Sequence, residues 1–155
     1  MAHNTNRPRR IHLTGDGRHE EDIAAAVIKP GHLLATTNAG EVLPNACGRV
    51  IPHGVAGGRC EAKFALEDAL QGRTIDDNYA IGELVPNVQA AKGDVVLGWL
   101  SEGEVVETDD FLTSNGDGSL RPVAGTEHAV AKALENVDAS DSGAEGDNRI
   151  RIRIL

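Results

Sequence analysis

Residues 149–155 read Arg-Ile-Arg-Ile-Arg-Ile-Leu, a strict alternation whose period of two fits a β-strand and no helix. One face of such a strand is apolar, and the other carries Arg149, Arg151 and Arg153. The apolar face requires a core to cover it. The cationic face is expected against the chain's own acidic surface or toward solvent, where it would discourage edge-to-edge pairing.

The densest apolar patch lies upstream, in residues 91–106, where two apolar runs are each introduced by a Gly-acidic pair. That pattern predicts a buried β-hairpin. Val95, Val96, Leu97, Trp99 and Leu100 place the only tryptophan in it, so the core is expected to pass here, with Trp99 serving as packing or as a subunit contact. Because only 3% of the chain is aromatic, Val, Ile, Leu and Ala must build that core. A chain of 155 residues is long enough to do so as one domain.

Between these features the strand signals are short and the turn signals frequent. Val27 and Ile28 precede Lys29-Pro30-Gly31, and Leu33 and Leu34 follow, which reads as strand, turn, strand. Further short apolar runs occur at 41–43 and at Val50 and Ile51, and Ser114-Asn115-Gly116-Asp117-Gly118-Ser119 has the residues of a hairpin tip. The predicted fold is therefore mainly β: a small barrel-like or sandwich-like domain over residues 23–155, with few or no helices. Two segments conflict with it in propensity. Residues 61–70 and 127–135 share an Ala-Leu-Glu motif that suits a helix, but Ala62, Phe64 and Leu66 also alternate, and in a β context both segments are read as strands.

Residues 1–22 contain few large apolar side chains, a basic cluster at Arg7, Arg9 and Arg10, and an acidic run at Glu20, Glu21 and Asp22. They read as an extended N-terminal arm that cannot fold alone. Within it, Arg10, Ile11, His12 and Leu13 alternate as a strand added to a partner would. Residues 138–147 form an acidic, flexible loop. Asp138, Ser140, Ser142 and Gly143 fall on calcium-loop positions, but Arg149 stands where the bidentate Glu is required, so a solvated loop is expected.

Charge and motifs narrow the function. A net charge of −9 disfavours nucleic acid as a partner, since phosphate binding needs clustered Lys and Arg. No apolar run approaches the roughly 20 residues of a membrane-spanning helix, and the first residues lack the apolar centre of a secretory signal, which points to synthesis in the cytoplasm. Cys47 and Cys60 match no zinc or redox spacing and are expected to be free thiols. The six histidines never pair at metal-ligand spacing. Nucleophile-elbow and phosphate-loop motifs are absent, and Asp76-Asp77 reads as a solvated turn. No catalytic residue, cofactor site or metal site is nominated.

Two resemblances bear on this β chain. Ala91-Lys92-Gly93-Asp94-Val95-Val96 is similar to the Lys-Gly-Asp-x-Val turn of lipoyl and biotinyl carrier domains, yet Lys29, Lys63, Lys92 and Lys132 all lack the flanking residues of a modified lysine. The longer resemblance is carried by Val27 to Gly31 with Leu33-Leu34, Phe64 to Ala69, Gly72, Tyr79 with Gly82, Gly93 to Val96, Asn115 to Gly118, Ala133 to Asp138, and the terminal Arg/Ile alternation. In that order these resemble the head-decoration, or cement, proteins of tailed bacteriophages. The resemblance implies a non-enzymatic β-rich homotrimer on the capsid exterior of the virion, clamping neighbouring copies of the major capsid protein without cofactor, nucleic acid or membrane. The arm, with Arg7, Arg9, Arg10, Ile11, His12 and Leu13, is the expected capsid contact. A carrier or small-ligand-binding β-sandwich is the alternative.

Overall fold

A computed structural model describes residues 8–37, 48–140 and 148–155. Among the described residues thirteen strands form two main sheets and one short ladder. The first sheet contains β1 (His12–Thr14), β7 (Val95–Trp99), β13 (Arg149–Ile154), β11 (Ala131–Ala133), β9 (Phe111–Ser114) and β10 (Leu120–Pro122), in that spatial order and antiparallel throughout. The second contains β3 (Leu34–Thr37), β4 (Arg49–Pro52), β2 (Arg18–Ala24), β6 (Leu84–Gln89) and β5 (Lys63–Ala65). Only its β2–β4 pair is parallel. The short β8 (Val105–Val106) pairs with β12 (Val137–Asp138). The arrangement is an open sandwich, so of the two expected β architectures the barrel is not formed.

The predicted terminal strand sits at the heart of the first sheet. Ile150, Ile152 and Ile154 point inward, each at most 4% exposed, and pack with Val96, Leu112, Leu120, Ala131 and Ala133 against Phe64 and Val88 of the second sheet. Opposite Ile150 stands Gly98. A Cβ there would lie 2.9 Å from Ile152 Cδ1 and 3.0 Å from Leu120 Cδ1, so close packing of the large aliphatic side chains accounts for the glycine in this strand. The second sheet is buried on both faces. Phe64 and Val88 turn toward the main core, while Ala65 and Val85 turn the other way, toward Ala24, Ile28, Leu34, Val50 and Tyr79. Tyr79 is 1% exposed, and its hydroxyl donates to Leu66 O at 2.7 Å.

Four sequence expectations change. Residues 91–106 are not a hairpin, because both edges of β7 are taken by β1 and β13. The Val105–Val106 run is left to pair with β12. The terminal strand is not an edge, so its arginines do not guard one; the other expected placement, against the chain's own acidic groups, holds for Arg149, buried against Asp76, and Arg151, 3.6 Å from Glu135, while Arg153 is exposed. Within residues 26–34, Val27 lies outside any strand and is exposed, Ile28 makes a single bridge to Tyr79, and strand β3 begins at Leu34. Lastly, residues 8–22 are not an extended arm. Ile11 is fully buried in the main core and β1 and β2 are integral to the two sheets.

Within residues 61–70 and 127–135 only short stretches are strands, Lys63–Ala65 (β5) and Ala131–Ala133 (β11). A single 3₁₀ turn, Ala69–Gln71, follows β5, with Asp68 at its start and Gly72 in the left-handed region at φ 73°. The expected run at 41–43, Cys47 and most of the acidic loop, residues 141–147, lie outside the described residues. Of that loop, Asp138 closes β12, and its carboxylate accepts from the backbone and hydroxyl of Ser140.

Candidate functional site

Of the segment 10–13, whose alternation predicts an added strand, only His12 and Leu13 lie in one, β1, and the sheet it joins is the chain's own; Arg10 and Ile11 precede it. Leu97 N donates to Ile11 O at 2.8 Å, Ile11 N donates to Glu67 Oε2 at 2.9 Å, and Leu13 packs on the main core. Arg10 and His12 line a surface groove of about 760 Å³ together with His19, Glu20, Glu21, Glu67 and Asp68. Arg9 is exposed, and Arg7 lies outside the described residues. The charged part of the groove is thus mostly acidic, with Arg10 as its basic member, beside an apolar wall of Leu66, Ala69, Leu70 and Pro86.

Its floor is organised by Asp94, the acidic partner of Gly93 in the turn that leads into β7. The carboxylate accepts from Ala91 N (3.1 Å), Asp16 N (3.1 Å), Gly17 N (2.9 Å) and His12 Nε2 (3.1 Å). Burial pushes this carboxyl upward, but the N–H groups of Ala91 and Asp16, the His12 side chain and the Gly17 N–H together hold it below the ordinary carboxylate range. Being depressed, it adds stability that persists at neutral pH and is lost only as acid titrates the folded carboxyl. Gly15 makes the approach possible. It has φ 126°, and a Cβ there would sit 1.8 Å from Asp94 Oδ1.

A carboxylate only accepts, so His12 Nε2 is the donor in its contact with Asp94. In neutral His12 the other ring nitrogen, Nδ1, then accepts from His19 Nε2, 2.9 Å away. The chain Asp94–His12–His19 runs from the core to the groove surface. These three do not converge on one point, and among the described residues no group of three or more His, Cys, Asp or Glu side chains could hold a metal ion.

Trp99 makes internal contacts. Its indole N–H donates to Pro30 O at 2.7 Å, and the cations of Arg149 and Lys29 lie 4.8 and 5.5 Å from its ring centre. Arg149, 2% exposed, also donates to Ile75 O (2.5 Å) and Asp76 Oδ1 (2.7 Å). Asp76 lies in an exposed turn, as read from sequence, and is also the counter-charge of a buried arginine. Beside Trp99, His32 is held neutral. Burial foremost, then Lys29, lower its pKa to about 4, against a smaller upward pull from Asp117.

His53 and Ser114 come within 2.7 Å, the spacing of a base and a nucleophile. Ser114 is fully buried, and the far ring nitrogen of His53 meets Arg59 O rather than a carboxylate, so the pair braces the 114–119 tip. Lys92 is exposed at the turn joining β6 of one sheet to β7 of the other, which differs from the hairpin-tip position of a carrier lysine. Among the described residues no helix is long and apolar enough to cross a membrane.

The chain shares its fold with a phage head-fibre domain. The similar structure is the N base of head fibre gp8.5 of bacteriophage phi29, with a TM-score of 0.58 and 14% identity, over 90% of this chain and 95% of that one. No family model and no curated relative matches the chain.

Sequence reasoning placed Ile11, His12 and Leu13 on a strand but missed Asp94. Its one visible signal is the Gly93-Asp94 pair, which also reads as ordinary turn chemistry.

Proposed function

We propose that this protein is a non-enzymatic structural component of a phage head: a decoration protein, made in the host cytoplasm, that binds the outer surface of the major capsid protein shell as a homotrimer and stabilises it. The observation that carries this reading is the end-to-end likeness to the head-fibre base. The surface is compatible with it. Val27, Ile81 and Leu84 expose 56%, 68% and 38% of their surface around the ladder that joins residues 24–28 to 79–83, and they offer an apolar patch for a symmetric subunit contact. Arg10, which lines the groove, and the exposed Arg9 before it are the capsid-facing charges in this reading, with Arg7 preceding them in sequence. Three weak footholds per trimer add through effective concentration.

The test follows from the fold. Removing residues 1–22 would take β1 and most of β2 and so would test folding, not binding. Reversing charge with Arg9→Glu and Arg10→Glu leaves the sheets intact. The wild-type chain is expected to sediment as a trimer of 16.3 kDa subunits and to co-sediment with undecorated heads. The doubly reversed variant should lose about tenfold in occupancy at low salt. A wild-type monomer that leaves the heads bare overturns the proposal.

A further inference from the structure

Lys63, on β5, is a buried cation that the surface reading does not use. It is 5% exposed, and its neighbours Asp22 on β2 and Asn87 on β6 are 8% and 0% exposed. The three strands are adjacent in the sheet, in the order β2, β6, β5. Alternation puts all three side chains on one face, the face that also carries Ala24, Val85 and Ala65 of the smaller core. Lys63 Nζ lies 3.3 Å from Asp22 Oδ2, and Asn87 Nδ2 donates to that same oxygen at 2.8 Å. Because they share one acceptor atom, the amine and the carboxamide nitrogens are held within about 6 Å of each other. Asn87 Nδ2 also donates to Val85 O at 3.1 Å, and Asn87 Oδ1 is buried with no hydrogen-bond partner. Glu20 Oε2 lies 3.5 Å from Lys63 Nζ on the solvent side.

An amine, a carboxamide and a carboxylate bonded to both, in a site shielded from water, are the complete set of groups for an intramolecular transamidation. Burial of the three side chains limits the water that would hydrolyse or solvate the reactants, and the shared acceptor keeps the amine and the carboxamide neighbours. We propose that Lys63 and Asn87 form an isopeptide bond, with Asp22 as the proton carrier.

The step balances without any co-reactant. The Lys63 ammonium gives one proton to the Asp22 carboxylate, leaving both neutral, and the freed lone pair of Nζ attacks Asn87 Cγ. In the resulting tetrahedral intermediate Nζ gives up a second proton, which Asp22 relays to Nδ2. The Cγ–Nδ2 bond breaks, ammonia leaves, and the new amide N–H remains on Nζ. One proton stays on Asp22, whose hydroxyl can then donate to the amide oxygen that lacks a partner beforehand. The product is a covalent rung between neighbouring strands β5 and β6.

Intact-mass measurement of the purified full chain tests this directly. Loss of ammonia predicts a mass about 17 Da below that of the sequence. Tryptic digestion should leave the bond after Lys63 uncut and join residues 60–73 to residues 74–92 in one species. Lys63→Arg, which keeps the cation and removes the nucleophile, should restore the full mass. Asn115-Gly116 can lose the same mass by closing to a succinimide, but that ring opens in mild alkali whereas an isopeptide survives it. A wild-type chain at full mass with normal cleavage after Lys63 overturns the proposal, as does a mass loss that maps to Asn115.

Discussion

Asp94→Ala is expected to lower the unfolding free energy by about 4 kcal/mol, because hydrogen bonds to a charged acceptor contribute about 1.5–3 kcal/mol each and are not fully additive. The substitution leaves Ala91 N, Asp16 N, Gly17 N and His12 Nε2 without their acceptor at one stroke. The damage is directional. β1 pairs only with β7 and is the edge of its sheet, so the turn over residues 14–18 should open first. Amide hydrogen exchange in residues 12–18 is expected to accelerate, while β13, held on both sides, keeps its protection until global unfolding. Asp94→Asn keeps one acceptor oxygen and should lose about half as much stability. Urea denaturation gives the energies, and a loss below about 1 kcal/mol for Asp94→Ala would show that the turn is held elsewhere.

His32 should make the protein acid-sensitive above the range where carboxylates titrate. Its folded pKa is about 4 against an ordinary value of 6.5, so as pH falls the unfolded chain takes up the proton first. Wherever the unfolded state binds more protons, stability rises with pH and falls with acid. The contribution is therefore intact above pH 6.5 and lost progressively down to about pH 4, reaching about 3 kcal/mol at the bottom of that window. Urea midpoints taken at several pH values should show this slope in the wild-type chain. In His32→Gln, the difference between the two chains should shrink as pH falls. Parallel pH profiles for the two chains would mean that His32 is protonated freely in the folded state.

What the sequence reveals about this fold follows from which physics is local. The Arg/Ile alternation of residues 149–154 is a property of consecutive residues, and the strand is where it was expected. The strand character of His12 and Leu13 is equally visible. Its partner is not, because periodicity says which face of a segment is apolar and nothing about which strand lies beside it. The same gap makes residues 91–106 read as a hairpin, when β7 is flanked instead by segments fifty or more positions away in either direction. Residues 1–22 look too polar to fold, yet Ile11 and Leu13 pack on the main core and the Asp94 carboxylate holds His12, Asp16 and Gly17, so β1 seats on the edge of β7. Asp22, Lys63 and Asn87 left no trace in sequence. They are separated by 41 and 65 positions from Asp22, and only the strand order of the second sheet brings them together.

The placement of β1 and β13 on either side of β7 has a mechanical consequence. Both run antiparallel to β7, so they run parallel to each other, and His12 and Ile152 pair with the same residue, Val96. Tension applied at residue 12 toward the N-terminus and at residue 154 toward the C-terminus pulls β1 and β13 in opposite directions along their own axes. The two ladders are then loaded in shear, and their hydrogen bonds must fail together rather than open one after another. Force along the chain is carried by three neighbouring strands, β1, β7 and β13, on one side of the first sheet, and the chain between them is bypassed.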